Sequence, residues 1–152
     1  MIMDKSTLYA DLLHALPYSE PFLFVGELLD VSDEGVRGTY TFSKDLEFYR
    51  GHFTDLPVTP GVILIETMAQ IGVVCLGISL LSDSGVCDGL QIAMTSSAVD
   101  FLLPVYPGEK VTVQSKKKYY RFGKLKCEVE MKNAAGAVVC RGVIAGMIKK
   151  NK

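Results

Sequence analysis

Hydrophobic and polar residues alternate with two different periods along this chain, and each period predicts a kind of element. Leucines at helical spacing follow Ser6 and predict a short helix that ends before Pro17. Further on, apolar and β-prone residues recur with the two-residue period of strands. The first part of the chain is therefore predicted to contain a helix over 6–16, strands over 22–31 and 35–42, and an irregular loop over 43–60.

The next stretch is the most apolar of the chain. In residues 62–81, 14 of 20 residues are apolar, which is the length that a membrane-spanning helix needs. Glu66 and Gln70 lie inside this stretch, and a carboxylate in hydrocarbon costs about 2.5–3.5 kcal/mol on insertion scales. A helix that is apolar nearly all round is otherwise a buried one, so a core helix over 60–81 is predicted and a membrane span is not.

The remainder of the chain predicts four more strands. They follow a Ser/Asp/Gly-rich turn at 82–89 and are separated by short turns with Gly or Asn. Their predicted ranges are 90–101, 109–121, 124–132 and 137–149. Strands before and after one buried helix indicate an α+β hotdog fold, in which an antiparallel sheet wraps around one long central hydrophobic helix.

Composition narrows the class of protein. The chain has 152 residues, 49% hydrophobic and 22% charged, which fits one folded domain over 1–152. The N-terminus has no apolar signal core behind a basic start, so we expect a cytoplasmic protein. The cysteines show neither a CxxC pair nor metal-ligand spacing, which predicts reduced thiols at packing positions and no metal site; they are Cys75, Cys87, Cys127 and Cys140.

Charge is unevenly distributed. The net charge of −1 argues against a dedicated nucleic-acid binder, yet residues 109–152 carry a balance of +9 and residues 1–108 one of −10. One interpretation is the solvated face of a sheet, and the other is a docking surface for an acidic partner. The residues considered for docking are Lys116, Lys117, Lys118, Arg121 and Lys124.

Residues with chemical potential cluster at the start of the predicted central helix. Thr59 is predicted to cap this helix, with Pro60 in the first helical position. Gly61 follows, and its free N–H at the positive end of the helix can bind an oxyanion or a polarised carbonyl.

An acid and a base lie on either side of this N–H in the sequence. Glu66, among Ile63, Leu64 and Ile65, is expected to favour its neutral form, and Gln70 at i+4 can hold it by a hydrogen bond. His52 in the preceding loop is suited to abstracting a proton at neutral pH. The alternatives are a hydrogen-bonded loop histidine and a buried glutamate paired with a neighbour, and the residues alone leave these open.

The run from Gly51 to Gln70 reads G-H-F-x-x-x-P-x-x-P-G-V-x-x-x-E-x-M-A-Q, in which Glu66 lies 14 positions after His52. It resembles the signature of the β-hydroxyacyl-[acyl carrier protein] dehydratases of type II fatty acid synthesis. The flanks 16–25 and 99–109 are also similar, so the resemblance covers nearly the whole chain.

The resemblance implies a role for each residue. His52 matches the base that removes the C2 proton, Glu66 the acid that assists loss of the C3 hydroxyl, and Gly61 the N–H that polarises the thioester carbonyl. It also implies no cofactor, and a substrate carried on the phosphopantetheine of an acidic acyl carrier protein. The histidine and the acid of one site would come from opposite subunits of a homodimer, of a trimer of dimers, or of a heterodimer with a related subunit.

Departures from the family pattern leave the substrate open. Tyr18, Ser19 and Glu20 replace a basic or aromatic opening, and Thr54 and Thr59 replace a frequent proline and methionine. A housekeeping dehydratase and one of a specialised, polyene-type pathway are both compatible with this. A hotdog acyl thioesterase and a non-catalytic carrier-binding subunit are the alternatives from other classes.

Overall fold

A six-stranded antiparallel sheet curls around one long helix in the computed structural model, which describes residues 5–82 and 89–150. The strands are β1 Glu27–Ser32, β2 Gly35–Thr41, β3 Leu90–Phe101, β4 Lys110–Arg121, β5 Lys124–Lys132 and β6 Val138–Lys150. The helices of the described residues are an N-terminal helix Lys5–His14, a short 3-10 helix Glu47–Arg50 and the central helix Gly61–Ser82. The predicted hotdog architecture is confirmed.

The sheet has the order β1-β2-β4-β5-β6-β3. Hairpins join β4 to β5 and β5 to β6, while β3 pairs with β6 from Leu90 to Phe101. Within the described residues, β3 has β6 as its one strand neighbour, so its other edge leaves a 12-residue row of backbone groups without a strand partner.

The strands form because alternate side chains enter the core. In β5, Leu125, Cys127, Val129 and Met131 are buried and the residues between them are more exposed. This two-residue period is the one expected of a sheet with one covered face.

The central helix is buried because the sheet covers it. Its most apolar window has a mean hydropathy of 2.0, and 72% of that window is buried inside the protein, as expected of a core helix. Gly72 allows the close approach: a Cβ at this position would lie 2.9 Å from the Cβ of Ser115 on β4. Residues Ala69–Val74 form a π-helical turn in the middle of this helix.

One predicted strand begins later than expected. The pattern over 22–31 predicted a single strand, but β1 starts at Glu27. The backbone of Phe22 and Phe24 hydrogen-bonds to the Gln70 side chain instead of to a neighbouring strand. The predicted turn at 82–89 lies largely outside the described residues.

The cysteines bear out the packing interpretation where they are described. Cys75, Cys127 and Cys140 are buried free thiols, and burial raises the pKa of each to about 12. Thiols with such pKa values are poor nucleophiles at neutral pH. Cys87 lies outside the described residues. In the part of the chain that is described, there is no group of three or more metal-ligating side chains.

Candidate active site

The start of the central helix presents a free backbone donor. The helix begins at Gly61, whose N–H has no intrahelical acceptor because it is in the first turn. The ring of Phe101, at the end of β3, lies 3.2 Å from the position that a Cβ on Gly61 would occupy. Any larger side chain at Gly61 would therefore displace this ring or close the approach to the N–H.

Thr59 does not cap the helix as the sequence predicted. Pro60 occupies the cap position and no side chain caps the N-terminus. The buried Thr59 hydroxyl instead hydrogen-bonds to the hydroxyl of Tyr49, and its N–H donates to the carbonyl of Val105 at 2.8 Å. These contacts fix the loop before the helix and leave the first N–H groups of the helix unobstructed by a cap.

His52 is held in a defined orientation. Its Nδ1 lies 2.9 Å from the carbonyl oxygen of Val58, and its backbone carbonyl accepts from the N–H of Val58 at 2.9 Å. Because a carbonyl oxygen can only accept, Nδ1 donates in this contact, and in the neutral ring Nε2 is then the nitrogen with the free lone pair. The imidazole also stacks on Phe53 with ring centroids 4.0 Å apart. This half-buried histidine is therefore oriented to act as a base through Nε2.

Glu66 lies in the second turn of the central helix and is half-buried. Burial raises the pKa of its carboxyl above the ordinary value, and the hydrogen bond from Gln70 opposes the rise. Gln70 Nε2 donates to Glu66 Oε2 at 2.9 Å. A carboxyl with a raised pKa retains more of its proton near neutral pH, as a general acid requires.

Gln70 has a second set of contacts that the sequence did not reveal. Its side chain is fully buried, its Oε1 accepts from the N–H of Phe24 at 2.8 Å, and its Nε2 also donates to the carbonyl of Phe22 at 3.1 Å. Gln70 thus joins Glu66 to the segment that precedes β1. Helical spacing predicted the contact with Glu66, but no local signal indicates the partners that are 46 and 48 residues away.

Glu66 lines an apolar cavity of about 210 Å³, and His52 does not line this cavity. A second hollow contains Gly61 and Phe101. The cavity that Glu66 lines and the hollow that Gly61 lines are separate, and His52 lines neither of them. The single chain therefore positions base, acid and donor separately.

The predicted docking residues lie on β4 and the β4–β5 hairpin. Lys117 and Lys118 have acidic neighbours, with Glu34 at 4.0 Å and Glu128 at 3.5 Å. Lys116 is exposed. The patch is therefore partly neutralised along the strand.

The tip of this hairpin is less neutralised. Arg121 lies over the ring of Tyr119 at 4.5 Å, and neither Arg121 nor Lys124 forms an ion pair with any described residue. Phe122 between them is 95% exposed at a positive φ of 52°, a conformation that bulky residues rarely adopt. Sequence reasoning did not single out Phe122, because a residue before a turn glycine gives no sign of its exposure.

Known proteins share the fold that holds this site. The curled antiparallel sheet around a central helix defines a hotdog-fold protein, and solved structures agree. The "Dehydratase Heterocomplex ApeI:P" from Xenorhabdus doucetiae is similar over 93% of this chain and 91% of that chain, with TM-score 0.77 and 20% identity. A hypothetical thioesterase with coenzyme A from Streptococcus pneumoniae is similar over 83% and 87%, with TM-score 0.62 and 17% identity. Identities this low support the fold alone.

Sequence comparison identifies the family within that fold. A model of the FabA-like domain matches residues 16–144, and the chain belongs to this family. The 3-hydroxyacyl-[acyl-carrier-protein] dehydratase FabZ of Nitratidesulfovibrio vulgaris is 33% identical over 137 residues, 87% of this chain and 88% of the relative. The FabZ of Sinorhizobium fredii is 30% identical over 142 residues, 91% of this chain and 87% of the relative. The resemblance to the dehydratases is confirmed.

Proposed function

We propose that this chain is a 3-hydroxyacyl-[acyl carrier protein] dehydratase that forms trans-2-enoyl-[acyl carrier protein] in the biosynthesis of a fatty acid or a related acyl chain. The observation that carries the proposal is Glu66, a carboxyl of raised pKa that opens onto an apolar cavity in a chain of the FabA-like family. An apolar cavity accommodates an acyl chain, and an acid at its wall lies where a hydroxyl on that chain can be protonated.

The chemistry is an elimination of water. His52 Nε2 removes a proton from C2, and the electron pair of the broken C–H bond forms the C2–C3 double bond as the C3–O bond breaks. Glu66 gives its proton to the departing hydroxyl, which leaves as water. The N–H of Gly61 stabilises negative charge on the thioester oxygen. No electron is lost or gained overall, so base, acid and donor suffice and the proposal includes no cofactor.

A complete site requires two subunits in this proposal. His52 does not line the cavity that Glu66 lines, and the outer edge of β3 has no strand partner among the described residues over its 12 residues. We propose that the β3 edges of two copies pair antiparallel, which reverses one copy relative to the other. The histidine of one copy then serves the acid of the other. The measured mass of the assembly distinguishes this homodimer from a heterodimer with a related subunit and from a trimer of dimers.

Apolar side chains support that interface. Several large hydrophobic residues near the helix start and along β3 are exposed in the single chain: Phe53, Leu56, Val62, Met94, Phe101, Leu102 and Leu103. Exposed apolar surface of this extent is typical of an interaction site. A second copy that covers β3 would remove much of it from water.

The reaction itself is tested in the hydration direction. We expect the purified protein to consume a trans-2-enoyl thioester, with loss of enoyl absorbance and formation of the 3-hydroxyacyl product. Release of free thiol without hydration would instead identify a thioesterase. Absence of both activities with carrier-bound and short thioesters would favour a non-catalytic subunit. A cytoplasmic location is proposed with this function, since its carrier-bound substrate is a soluble protein.

Carrier docking is proposed at the tip of the β4–β5 hairpin and along the basic strand that leads to it. Arg121 and Lys124, which form no ion pair with any described residue, flank the exposed ring of Phe122, and this arrangement suits an acidic partner with an apolar contact. Lys116, Lys117 and Lys118 extend this surface, although two of them already contact carboxylates.

Charge reversal at the tip provides the test. We expect the double variant R121E/K124E to lower kcat/KM for carrier-bound substrate about tenfold and to leave a short thiol mimic unaffected, because encounter depends on charge. Lys110→Glu, at the opposite end of β4, is the matched control and should change neither substrate. Equal loss on both substrates would show that the tip residues are only a solvated face. Higher salt should weaken the wild type more than the double variant.

A further inference from the structure

The cavity beside Glu66 is bounded in part by two aromatic residues that belong to neither the central helix nor the sheet. Tyr18, from the segment that precedes β1, lines it together with Phe22. The other lining residues belong to the central helix, β3 and β6, and they are apolar or small apart from the acid: Glu66, Ala69, Val73, Val74, Ile92, Ala93, Met94, Ile144, Ala145, Gly146 and Ile148. The segment that carries Tyr18 thus forms one wall of this cavity.

This wall is fixed in position. Gln70 accepts from the N–H of Phe24 and donates to the carbonyl of Phe22, both at hydrogen-bond distance. Edge and tilted ring contacts continue the support from Tyr18 to Phe22 and from Phe22 to Phe24, with centroids 6.4 and 5.1 Å apart. A wall held by buried hydrogen bonds and ring packing does not yield easily to a longer occupant.

The cavity extends along the central helix beyond Glu66. Glu66, where the C3 hydroxyl must lie, is at one end, and Val73 and Val74 are about 10–12 Å further along at 1.5 Å per residue. The phenol of Tyr18 is close enough to both Glu66 and the buried Cys75 for their charges to raise its pKa, after the larger effect of burial. Tyr18 lines the same cavity as Glu66, Val73 and Val74, so it borders the path that an acyl chain would follow from C3.

The space available is small. At about 210 Å³ the cavity falls below the roughly 300–1,000 Å³ of ordinary small-molecule sites. In the single chain, this volume favours a short acyl group over a long saturated one.

We infer that Tyr18 limits acyl chain length in this protein and selects substrates of short to intermediate length. This inference rests on the proposed function, because that function identifies the molecule in the cavity as an acyl chain. Its physical basis is that a phenol ring fills volume which additional methylenes would otherwise occupy. Each methylene that gains burial is worth about fourfold in relative kcat/KM.

The experiment compares crotonyl, octenoyl and hexadecenoyl thioesters in four variants. Tyr18→Ala is expected to raise the ratio of kcat/KM for hexadecenoyl over crotonyl at least tenfold. Tyr18→Trp is expected to lower this ratio, and Tyr18→Phe, which keeps the ring, to leave it unchanged. Tyr9→Ala is the matched control: Tyr9 is also partly buried, but its hydroxyl contacts the N–H of Val31 and it does not line the cavity.

The outcomes separate this inference from the proposed function. A Tyr18→Ala profile equal to that of the wild type and Tyr9→Ala would overturn the role of Tyr18 while the reaction stands. If the wild type hydrates none of the thioesters, the reaction is wrong, and chain-length selection is measured by thermal stabilisation with saturated acyl-pantetheines. Tyr18→Ala must then favour the longer acyl group, and failure to do so overturns the inference. Where Tyr18→Ala does not fold, Tyr18→Leu is the substitute.

Discussion

His52→Ala is expected to lower kcat about 10²–10⁴-fold, the contribution typical of a positioned base, with little change in KM. The physical reason is the orientation of the ring, since the carbonyl of Val58 accepts from Nδ1 and leaves Nε2 as the basic nitrogen. Hydration of a short enoyl thioester measures the effect without a contribution from carrier docking.

A second substitution at the same position separates chemistry from loop structure. His52→Asn places an amide N–H near the position of Nδ1, so it can still donate to Val58, but it has no base. We expect His52→Asn to be as inactive as His52→Ala and to keep the Tm of the wild type. Activity of His52→Asn within tenfold of the wild type would exclude His52 as the base.

Glu66→Gln is expected to reduce kcat by a similar 10²–10⁴-fold, because the amide cannot supply a proton to the departing hydroxyl. The side-chain oxygen remains, so Gln70 can keep its hydrogen bond and the segment at Phe22 and Phe24 stays in place. The variant therefore removes the acid with little change in shape. Undiminished turnover would show that another group protonates the leaving oxygen.

Stability provides an independent check on Glu66. Burial raises the pKa of this carboxyl in the folded protein, so its protonated form is favoured by folding. Its stabilising contribution is complete below the ordinary pKa of glutamate and is lost as pH rises through the folded value. Glu66→Gln should accordingly gain in Tm relative to the wild type as pH rises through this window and keep a constant advantage above it. A Tm difference that does not vary with pH would argue that the carboxyl is not buried as described.

Mixing the purified His52→Asn and Glu66→Gln proteins tests whether one site is shared between two subunits. If histidine and acid come from different copies, exchange of subunits between His52→Asn and Glu66→Gln yields mixed dimers with one intact site each. About a quarter of wild-type activity should return for random exchange in a two-fold dimer. No recovery under conditions where the subunits demonstrably exchange would place base and acid of one site in the same chain.

The sequence predicted the elements with strong periodicity and missed features that depend on distant partners. Strand β3 was predicted at its observed bounds because its flanks have clear turn residues. The start of β1 was wrong because Gln70, distant in sequence, takes the hydrogen bonds of Phe22 and Phe24. The π-helical turn Ala69–Val74 was not predicted, since every residue in it is buried and leaves no polar face to show a period.

The sequence predicted which residues form the site, but it did not predict the contacts that hold those residues in place. Spacing from Gly61 to Glu66 and Gln70 indicated a donor, an acid and its hydrogen-bond partner on one helix. The cap at Thr59 was wrong because the buried hydroxyl of Tyr49 competes for the same side chain. The roles of His52, Glu66 and Gly61 remain predictions that the variants above address.

Gln70 has consequences for how such a protein can change over generations. One amide serves the acid through Nε2 and the wall of the cavity through both of its polar atoms. Any replacement of this residue would alter acidity and substrate fit in a single step, whereas Tyr18 can vary alone. Sequence changes that alter the acyl substrate are therefore expected in the segment before β1. An engineer who wants new selectivity should retain Gln70 and vary the wall that it supports.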